Sequence, residues 1–181
     1  MKRIILVFIL LMTVCLTGFA APSQEEVDAR NILDDLKSIS LRLENPTNFN
    51  EFYTYYNNIY IKVRKFDMSY PSSVIRHEMG NAFIPYYDAY GIWKRPYQGS
   101  KNKYRWAIWL RPTEVDYLQG QYEGMKALIS SNLITTLDDG NMLIGSETND
   151  NSIIVLLFTT ATERIKPLEG KINQTYIKTA N

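Results

Sequence analysis

The chain has 181 residues, of which 45% are hydrophobic, 13% aromatic and 22% charged, and its formal net charge is +1. A chain of this length can bury a core as one domain, and a near-neutral charge excludes the strongly basic class of nucleic-acid-binding proteins. It contains one histidine and one cysteine, so a site that needs two histidines or two thiolates is excluded.

The first 20 residues have the layout of a secretory signal peptide. A short basic start precedes a nearly unbroken apolar run, and the small residues Gly18 and Ala20 stand just before the expected cleavage site. The run is too short for a membrane span. We therefore predict a signal peptide over 1–20, one globular domain over 21–181, and no transmembrane span after signal removal. The alternative, a lipoprotein acylated on Cys15, lacks the flanking leucine of such motifs.

Cleavage at this position leaves a mature chain without cysteine. Because small secreted animal domains usually carry disulfides, this absence favours a bacterial periplasm or envelope. Cleavage also removes two of the 20 basic residues, so 18 remain against 19 acidic ones. We expect an exported protein, periplasmic or secreted, that has no nucleic-acid partner.

Two amphipathic helices are predicted at the start of the mature chain. Ser23 and Glu26 have the spacing of a capping box, in which their side chains bond free amides at a helix start. The apolar residues that follow recur every three or four positions until Asn45-Pro46 ends the pattern. This first stripe consists of Ala29, Ile32, Leu36, Ile39 and Leu43.

The second helix is predicted in the aromatic stretch EFYTYYNNIYIKVRKF at residues 51–66, with Asn48 as its candidate cap. A strand is the alternative, because several tyrosines and β-branched residues share one parity, but Asn57 interrupts that alternation. The helical stripe has no gap, so we predict an antiparallel hairpin of two helices. The second helix would bury Phe52, Tyr56, Ile59, Val63 and Phe66, with Tyr53 and Tyr60 on another face.

A third helix is predicted to start at Pro71, where a proline in the first turn costs no hydrogen bond. Pro85 is expected to kink or break this helix near Ile84, and Arg95-Pro96 is expected to end it. Its apolar stripe consists of Ile75, Met79, Phe83, Tyr86 or Tyr87, and Tyr90.

The rest of the chain combines short strands with one more helix. The stretch YQGSKNKYRWAIWL at 97–110 places alternate apolar residues on one parity, which predicts a hairpin or a short strand. Residues 133–137 and 142–144 flank a turn containing glycine and predict two strands. The apolar run at 153–160 is typical of a buried strand, with a helix as the alternative, and the tail after Lys166 is predicted to be loosely held. A fourth helical stripe consists of Val115, Leu118, Tyr122, Met125 and Ile129.

Together these patterns predict an α+β fold. An N-terminal antiparallel helical hairpin is followed by two further helices and a small C-terminal antiparallel β-sheet. An all-α bundle is the alternative, because the run at 153–160 also fits a helix.

Motifs of known chemistry are scarce in this sequence. His77 is the single histidine, and neither a dinucleotide-binding G-x-G-x-x-G nor a phosphate-binding loop is present, so we expect no cofactor and no metal. One catalytic hypothesis remains. Glu78 would be the general acid of a glycan-acting hydrolase or lyase, with the aromatic residues after it lining a sugar cleft.

Aromatic and basic residues are the strongest positive signal. Ten of the 13 tyrosines lie between Tyr53 and Tyr104, and residues 89–113 contain six basic residues and no acidic one. Exposed Tyr and Trp beside Lys and Arg are typical anchors of protein interfaces. We therefore predict a non-catalytic binding or interaction protein, such as an accessory subunit, immunity factor or inhibitor, whose partner is another envelope or secreted protein; a glycan-binding module is the alternative. The predicted contact residues are Trp93, Tyr97, Lys101, Lys103, Tyr104, Arg105, Trp106 and Trp109.

Overall fold

The computed structural model of the protein describes residues 22–42, 49–94, 107–145 and 152–177. Within these ranges the chain forms six helices and three short strands, which confirms the predicted α+β class and its N-terminal helical hairpin. The helices are α1 (Gln24–Arg42), α2 (Phe49–Ser69), α3 (Arg76–Trp93), α4 (Pro112–Gln121), α5 (Met125–Asn132) and α6 (Ser152–Ile177). The strands are β1 (Ile108–Leu110), β2 (Leu133–Thr136) and β3 (Met142–Ile144).

Helices α1 and α2 pack against each other in antiparallel directions. Just past the end of α2, the Tyr70 hydroxyl donates to Asp28 Oδ2 near the start of α1 over 2.8 Å. Further along the pair, Lys62 Nζ donates to Asp35 Oδ2 over 2.6 Å. The partner in α1 moves from Asp28 to Asp35 while the partner in or after α2 moves back from Tyr70 to Lys62, so the two helices run in opposite directions.

The predicted cap and the predicted stripes of this hairpin are present. The Glu26 amide donates to the Ser23 hydroxyl over 3.2 Å at the start of α1. The described members of both stripes are buried, apart from half-buried Val63. Leu43 and Asn48 lie outside the described residues. The aromatic stretch at 51–66 is therefore helical, and its strand alternative is wrong.

Helix α3 begins later than predicted and is not broken by its proline. Residues 71–75 form turns, and the helix starts at Arg76 instead of Pro71. Pro85 lies buried in the helix interior, and α3 continues past it to Trp93. A proline removes one amide donor and crowds the preceding turn, but here buried apolar side chains on both sides of it hold the two halves in one helix. The predicted break near Ile84 is wrong.

Residues 153–160 belong to helix α6 and do not form a strand. Helix α6 packs against both α1 and α3, so its apolar face is wide, and a wide face looks like a continuous apolar run in the sequence. The described chain after Lys166, up to Ile177, is also not loosely held. Leu168 and Ile172 are fully buried, and the Tyr176 hydroxyl donates to Glu25 Oε1 over 2.9 Å.

The four long helices α1, α2, α3 and α6 form an antiparallel bundle around the main core. Helix α6 runs opposite to α1, because Lys37 pairs with Glu169 over 2.5 Å while Arg30 donates to Asn173 over 3.2 Å. Helix α3 closes the bundle by packing against α2 on one side and α6 on the other. Among the described residues, no helix carries an apolar stretch long enough to cross a bilayer.

The small sheet has β3 at its centre, with β1 and β2 paired antiparallel on its two sides. Ile108 lies opposite Ile144 in this register, and both side chains join the main core. The stretch at 97–110 thus contributes a strand that pairs far along the chain, while its residues 97–106 lie outside the described part. In the turn between β2 and β3, Gly140 adopts a φ of 80°, a conformation that glycine tolerates without strain.

The fourth predicted helix is in fact two helices. Helix α4 ends at Gln121 because Tyr122 is extended, with φ −128° and ψ 118°. Helix α5 begins at Met125 after Gly124, whose φ of 79° is also outside the right-handed helical range. All five residues of the predicted stripe are nevertheless buried. The stripe was readable from the sequence, whereas the break depends on the backbone conformations of Tyr122 and Gly124.

We expect Gly124→Ala to lower the free energy of unfolding by about 1–2 kcal/mol, because a side chain is strained at this positive φ. Gly120→Ala is the matched control. It lies within helix α4, where an added Cβ meets no heavy atom within 4 Å, so we expect a gain of about 0.5–1 kcal/mol from helix propensity. Urea denaturation followed by circular dichroism measures both. Equal stabilities of the two variants would contradict the assigned helix break.

Candidate binding surface

A layer of aromatic rings fills the space between α2, α3 and α6. The fully buried Phe52 ring has its centroid 5.6 Å from that of Trp93 and 5.2 Å from that of Phe158. Tyr56 lies one turn along α2 on the same side of the helix, 5.7 Å from Phe52. These rings belong to the core, and the candidate site begins where the layer reaches the surface.

Five tyrosines of α2 and α3 lie where the aromatic layer approaches the protein surface. Tyr56 and Tyr90 stack with their centroids 4.4 Å apart, and Tyr53 stacks on Tyr90 at 5.7 Å. Tyr60 stacks on Tyr56 at 5.8 Å. Tyr53 and Tyr87 are 41% and 54% exposed. We call these five residues the tyrosine patch: Tyr53, Tyr56, Tyr60, Tyr87 and Tyr90.

The hydroxyls of the tyrosine patch lie close enough to influence one another. Burial raises the pKa of Tyr56 well above its ordinary value of 10.0, and the neighbouring tyrosines, Tyr87 foremost, raise it further. The Tyr56 phenol therefore stays protonated at neutral pH, where a tyrosine hydroxyl both donates and accepts hydrogen bonds. At the end of α3, Lys94 Nζ lies 4.7 Å from the Tyr90 ring centroid, in a cation–π contact.

Side-chain contacts between α2 and α3 recur every seven residues along both helices, and we call the line of these contacts the seam. A seven-residue step returns a side chain to the same side of a helix, so the pairs form one continuous line along the seam. The line changes from charged at one end to aromatic at the other. It consists of the ion pair Asp67 with Arg76, the ring contact of Tyr60 with Phe83 at 6.3 Å, and the stack of Tyr53 on Tyr90.

An open depression lies at the charged end of this seam. His77 and Asn81 are on one of its walls, with His77 Nε2 3.0 Å from Asn81 Nδ2, and Gly80 leaves open space between them. No group of three His, Cys, Asp or Glu side chains in the described part of the chain could hold a metal ion. The depression is lined by Asp67, Ser73, Arg76, His77, Gly80, Asn81 and Ile84.

Asp88 forms a polar cluster on a neighbouring face of α3. Its Oδ2 accepts hydrogen bonds from the Tyr122 hydroxyl at 2.6 Å and from the Tyr117 hydroxyl at 3.1 Å. The Arg164 guanidinium lies 5.3 Å from the Tyr122 ring centroid and donates to the Asn81 carbonyl oxygen over 3.3 Å. Burial raises the pKa of Asp88, although both hydroxyls and Arg164 oppose that shift. The cluster joins α4 and α6 to α3.

Comparison with known proteins assigns no function to the chain. No protein family, no curated protein and no solved structure matches it. Its function is therefore inferred from the geometry of its own residues.

The structure describes two of the eight predicted contact residues. Half-buried Trp93 packs against the core rings, with its centroid 5.9 Å from that of Phe49. Trp109 is half-buried on β1, and the Arg111 guanidinium lies 5.9 Å from its ring centroid. The other six lie outside the described residues: Tyr97, Lys101, Lys103, Tyr104, Arg105 and Trp106.

The catalytic hypothesis placed its general acid at Glu78. This residue is half-buried in the first turn of α3 and is not among the residues lining the nearby depression. Asp88, about three turns along the same helix, is a half-buried carboxyl group whose pKa is raised by burial. It is a different residue from the one that the catalytic hypothesis names.

Sequence reasoning missed Tyr87 and Asp88 as site residues. The sequence pattern offers Tyr87 only as an alternative to Tyr86 in the core stripe, whereas in the structure Tyr86 is buried and Tyr87 is exposed. The signal that could have found Tyr87 is its place in a second run of three- and four-residue steps along α3. No comparable signal existed for Asp88, because its partners Tyr117 and Tyr122 come from another helix.

Proposed function

We propose that the protein is a small exported binding protein of the bacterial envelope, which contacts another protein through the tyrosine patch. The observation that carries the proposal is the exposure of Tyr53, whose ring stacks on Tyr90, together with the exposure of Tyr87 on helix α3. Tyrosine supplies a large rigid contact area at low entropic cost together with a hydroxyl, which is why it anchors interfaces. An accessory subunit, an immunity factor or an inhibitor would each use such a surface.

The support beneath the patch strengthens this proposal. Tyr90 stacks on Tyr56, which is only 4% exposed, so the exposed Tyr53 ring that stacks on Tyr90 is held by core packing. A contact surface that is already ordered loses less conformational entropy when it binds. Polar groups at both ends, His77 in the depression and Lys94 on Tyr90, resemble the polar rim of an interface.

We expect Tyr87→Ser to reduce capture of a partner at least tenfold while the fold is retained, because truncating a central interface tyrosine typically costs about 2 kcal/mol or more. The tagged mature chain is recovered from periplasmic extract of the source cells, and stoichiometric co-purified protein is quantified by mass spectrometry. Absence of the chain from both that fraction and the culture medium would contradict export.

Leu41→Ser is the matched control for this experiment. Leu41 is 71% exposed on α1, on a different helix from Tyr87. Capture should be unchanged in this variant. A partner lost equally in both variants, or retained in both, would contradict the role of the tyrosine patch.

A further inference from the structure

Helix α3 carries a second stripe at helical spacing, on a different side from its core stripe. Only four of its 18 residues are charged or histidine, so the helix is apolar around most of its circumference. A helix of that kind is normally covered on every side. The second stripe nevertheless contains no fully buried residue. We call it the outer stripe, and it consists of His77, Gly80, Ile84, Tyr87, Gly91 and Lys94.

We infer that the outer stripe binds an amphipathic helix of the partner protein, with a carboxylate of that helix opposite Lys94. The inference rests on the proposed function and names the kind of partner segment that it requires. The outer stripe shares Tyr87 with the tyrosine patch, and its members His77, Gly80 and Ile84 line the depression, so the stripe has residues in common with both features.

The spacing of the outer stripe favours a helical occupant over an extended one. Its members recur at alternating steps of three and four residues, the spacing with which two helices interlock side chains. From His77 to Lys94 the stripe is about 26 Å long, which matches a helix of roughly 18 residues. None of the described strands lies in the outer stripe, so an extended segment could not bind there by adding a strand to a sheet edge. Its backbone amides would need other hydrogen-bond partners.

The charge at the end of the stripe selects an acidic helix. Among the described residues Lys94 forms no salt bridge, and its ammonium group lies over the Tyr90 ring. At the other end Arg76 is already paired with Asp67. A carboxylate on the partner would therefore gain most beside Lys94.

The same charge argues against a second copy of the chain as the occupant. Two outer stripes packed antiparallel about a two-fold axis would bring Lys94 of each copy near His77 and the already paired Arg76 of the other. Because the outer stripe contains no carboxylate, this pairing would leave both Lys94 ammonium groups without a counter-ion. A parallel arrangement would bring the two Lys94 side chains together, with the same effect.

The test uses the whole mature chain and two synthetic helical peptides of 18 residues. Both peptides carry leucines at three- and four-residue steps. They differ only at their charged positions, which are Glu in one peptide and Lys in the other. Fluorescence anisotropy measures binding. We expect the Glu peptide to bind at least tenfold more tightly than the Lys peptide, and Lys94→Glu to remove most of that preference. Tyr87→Ser should weaken both peptides.

Lys166→Glu is the control, because Lys166 is exposed on α6 rather than at the outer stripe. It should leave the preference for the Glu peptide intact. Equal binding of the two peptides, a preference that survives Lys94→Glu, or no binding at all would overturn the inference. A dimer in sedimentation experiments that Tyr87→Ser dissociates would overturn it in favour of a second copy.

The two proposals fail in distinguishable ways. If the peptides do not bind but partner capture still depends on Tyr87, the proposed function stands and the helical, acidic partner segment is wrong. If capture does not depend on Tyr87, the proposed function itself fails.

Discussion

Phe52→Ala is expected to lower the free energy of unfolding by about 3–5 kcal/mol, whereas Tyr53→Ala lowers it by about 1 kcal/mol or less. The two residues are adjacent in the sequence and similar in size. Phe52 is fully buried against Trp93 and Phe158, so its removal leaves a cavity in the bundle core. Tyr53 is 41% exposed, so water fills the space that its ring leaves.

Urea denaturation of the wild type and the two variants measures this difference, provided that the slope of each transition is unchanged. Because the loss at Phe52 is a large fraction of the stability of a typical domain, Phe52→Leu serves as a milder version, with an expected loss of about 1–1.5 kcal/mol. A larger loss for Tyr53→Ala than for Phe52→Ala would mean that the helix is rotated relative to the described arrangement.

Asp88→Leu is expected to lower the free energy of unfolding by about 1–3 kcal/mol, because it leaves the hydroxyl of buried Tyr122 without its acceptor, whereas exposed Tyr117 can bond water instead. Asp88→Asn should not destabilise the protein. It keeps a carbonyl oxygen for both hydroxyls and removes a charge that burial disfavours, so we expect it to be at least as stable as the wild type at pH 7. Thermal denaturation at fixed pH compares the three proteins.

The raised pKa of Asp88 also predicts how stability depends on pH. In the folded state this carboxyl group binds its proton at a higher pH than the ordinary value of 3.8. Between pH 3.8 and the pKa of the folded state, the folded chain holds more protons than the unfolded chain. Lowering the pH through this range therefore favours the folded state. The wild type should therefore gain stability relative to Asp88→Asn as the pH falls through the pKa of Asp88 in the folded state. The difference in free energy of unfolding between the two proteins should stop growing below about pH 3.8.

Asp116→Asn is the control for both measurements, since Asp116 is exposed on α4, the helix that carries Tyr117. Its stability relative to the wild type should change little between pH 7 and pH 4. If the wild type instead loses stability relative to Asp88→Asn on acidification, Asp88 is stabilised in its charged form, and the two hydroxyls and Arg164 outweigh burial in setting its pKa.

The periodic parts of this fold could be read from the sequence. In α1 and α2 the apolar residues occupy one side each, because each helix faces the bundle core on a single side. Their positions and the antiparallel pairing followed from that pattern. The strands around Gly140 were predictable for a similar reason, since a short turn with glycine joins two apolar runs.

Helices that contact several neighbours were harder to predict. The start of α6 packs against two helices at once, so its apolar residues form a wide run that also fits a buried strand. Helix α3 is apolar around most of its circumference, and its periodicity alone does not show which stripe faces the core. The Asp88 cluster was beyond sequence reasoning, because it joins side chains from α3, α4 and α6.

The antiparallel contact between α1 and α6 has a consequence for the order in which the molecule assembles. The side chains of Glu25 and Tyr176 are hydrogen-bonded although they are 151 residues apart in the chain. Helix α6, the last of the described helices to be synthesised, therefore forms a wall of the bundle that α1, the first of them, begins. Until α6 arrives, the apolar faces of α1 and α3 lack their cover. Closing so distant a contact is slow relative to forming a helical hairpin, which leaves an interval in which a chaperone can bind the unfinished bundle.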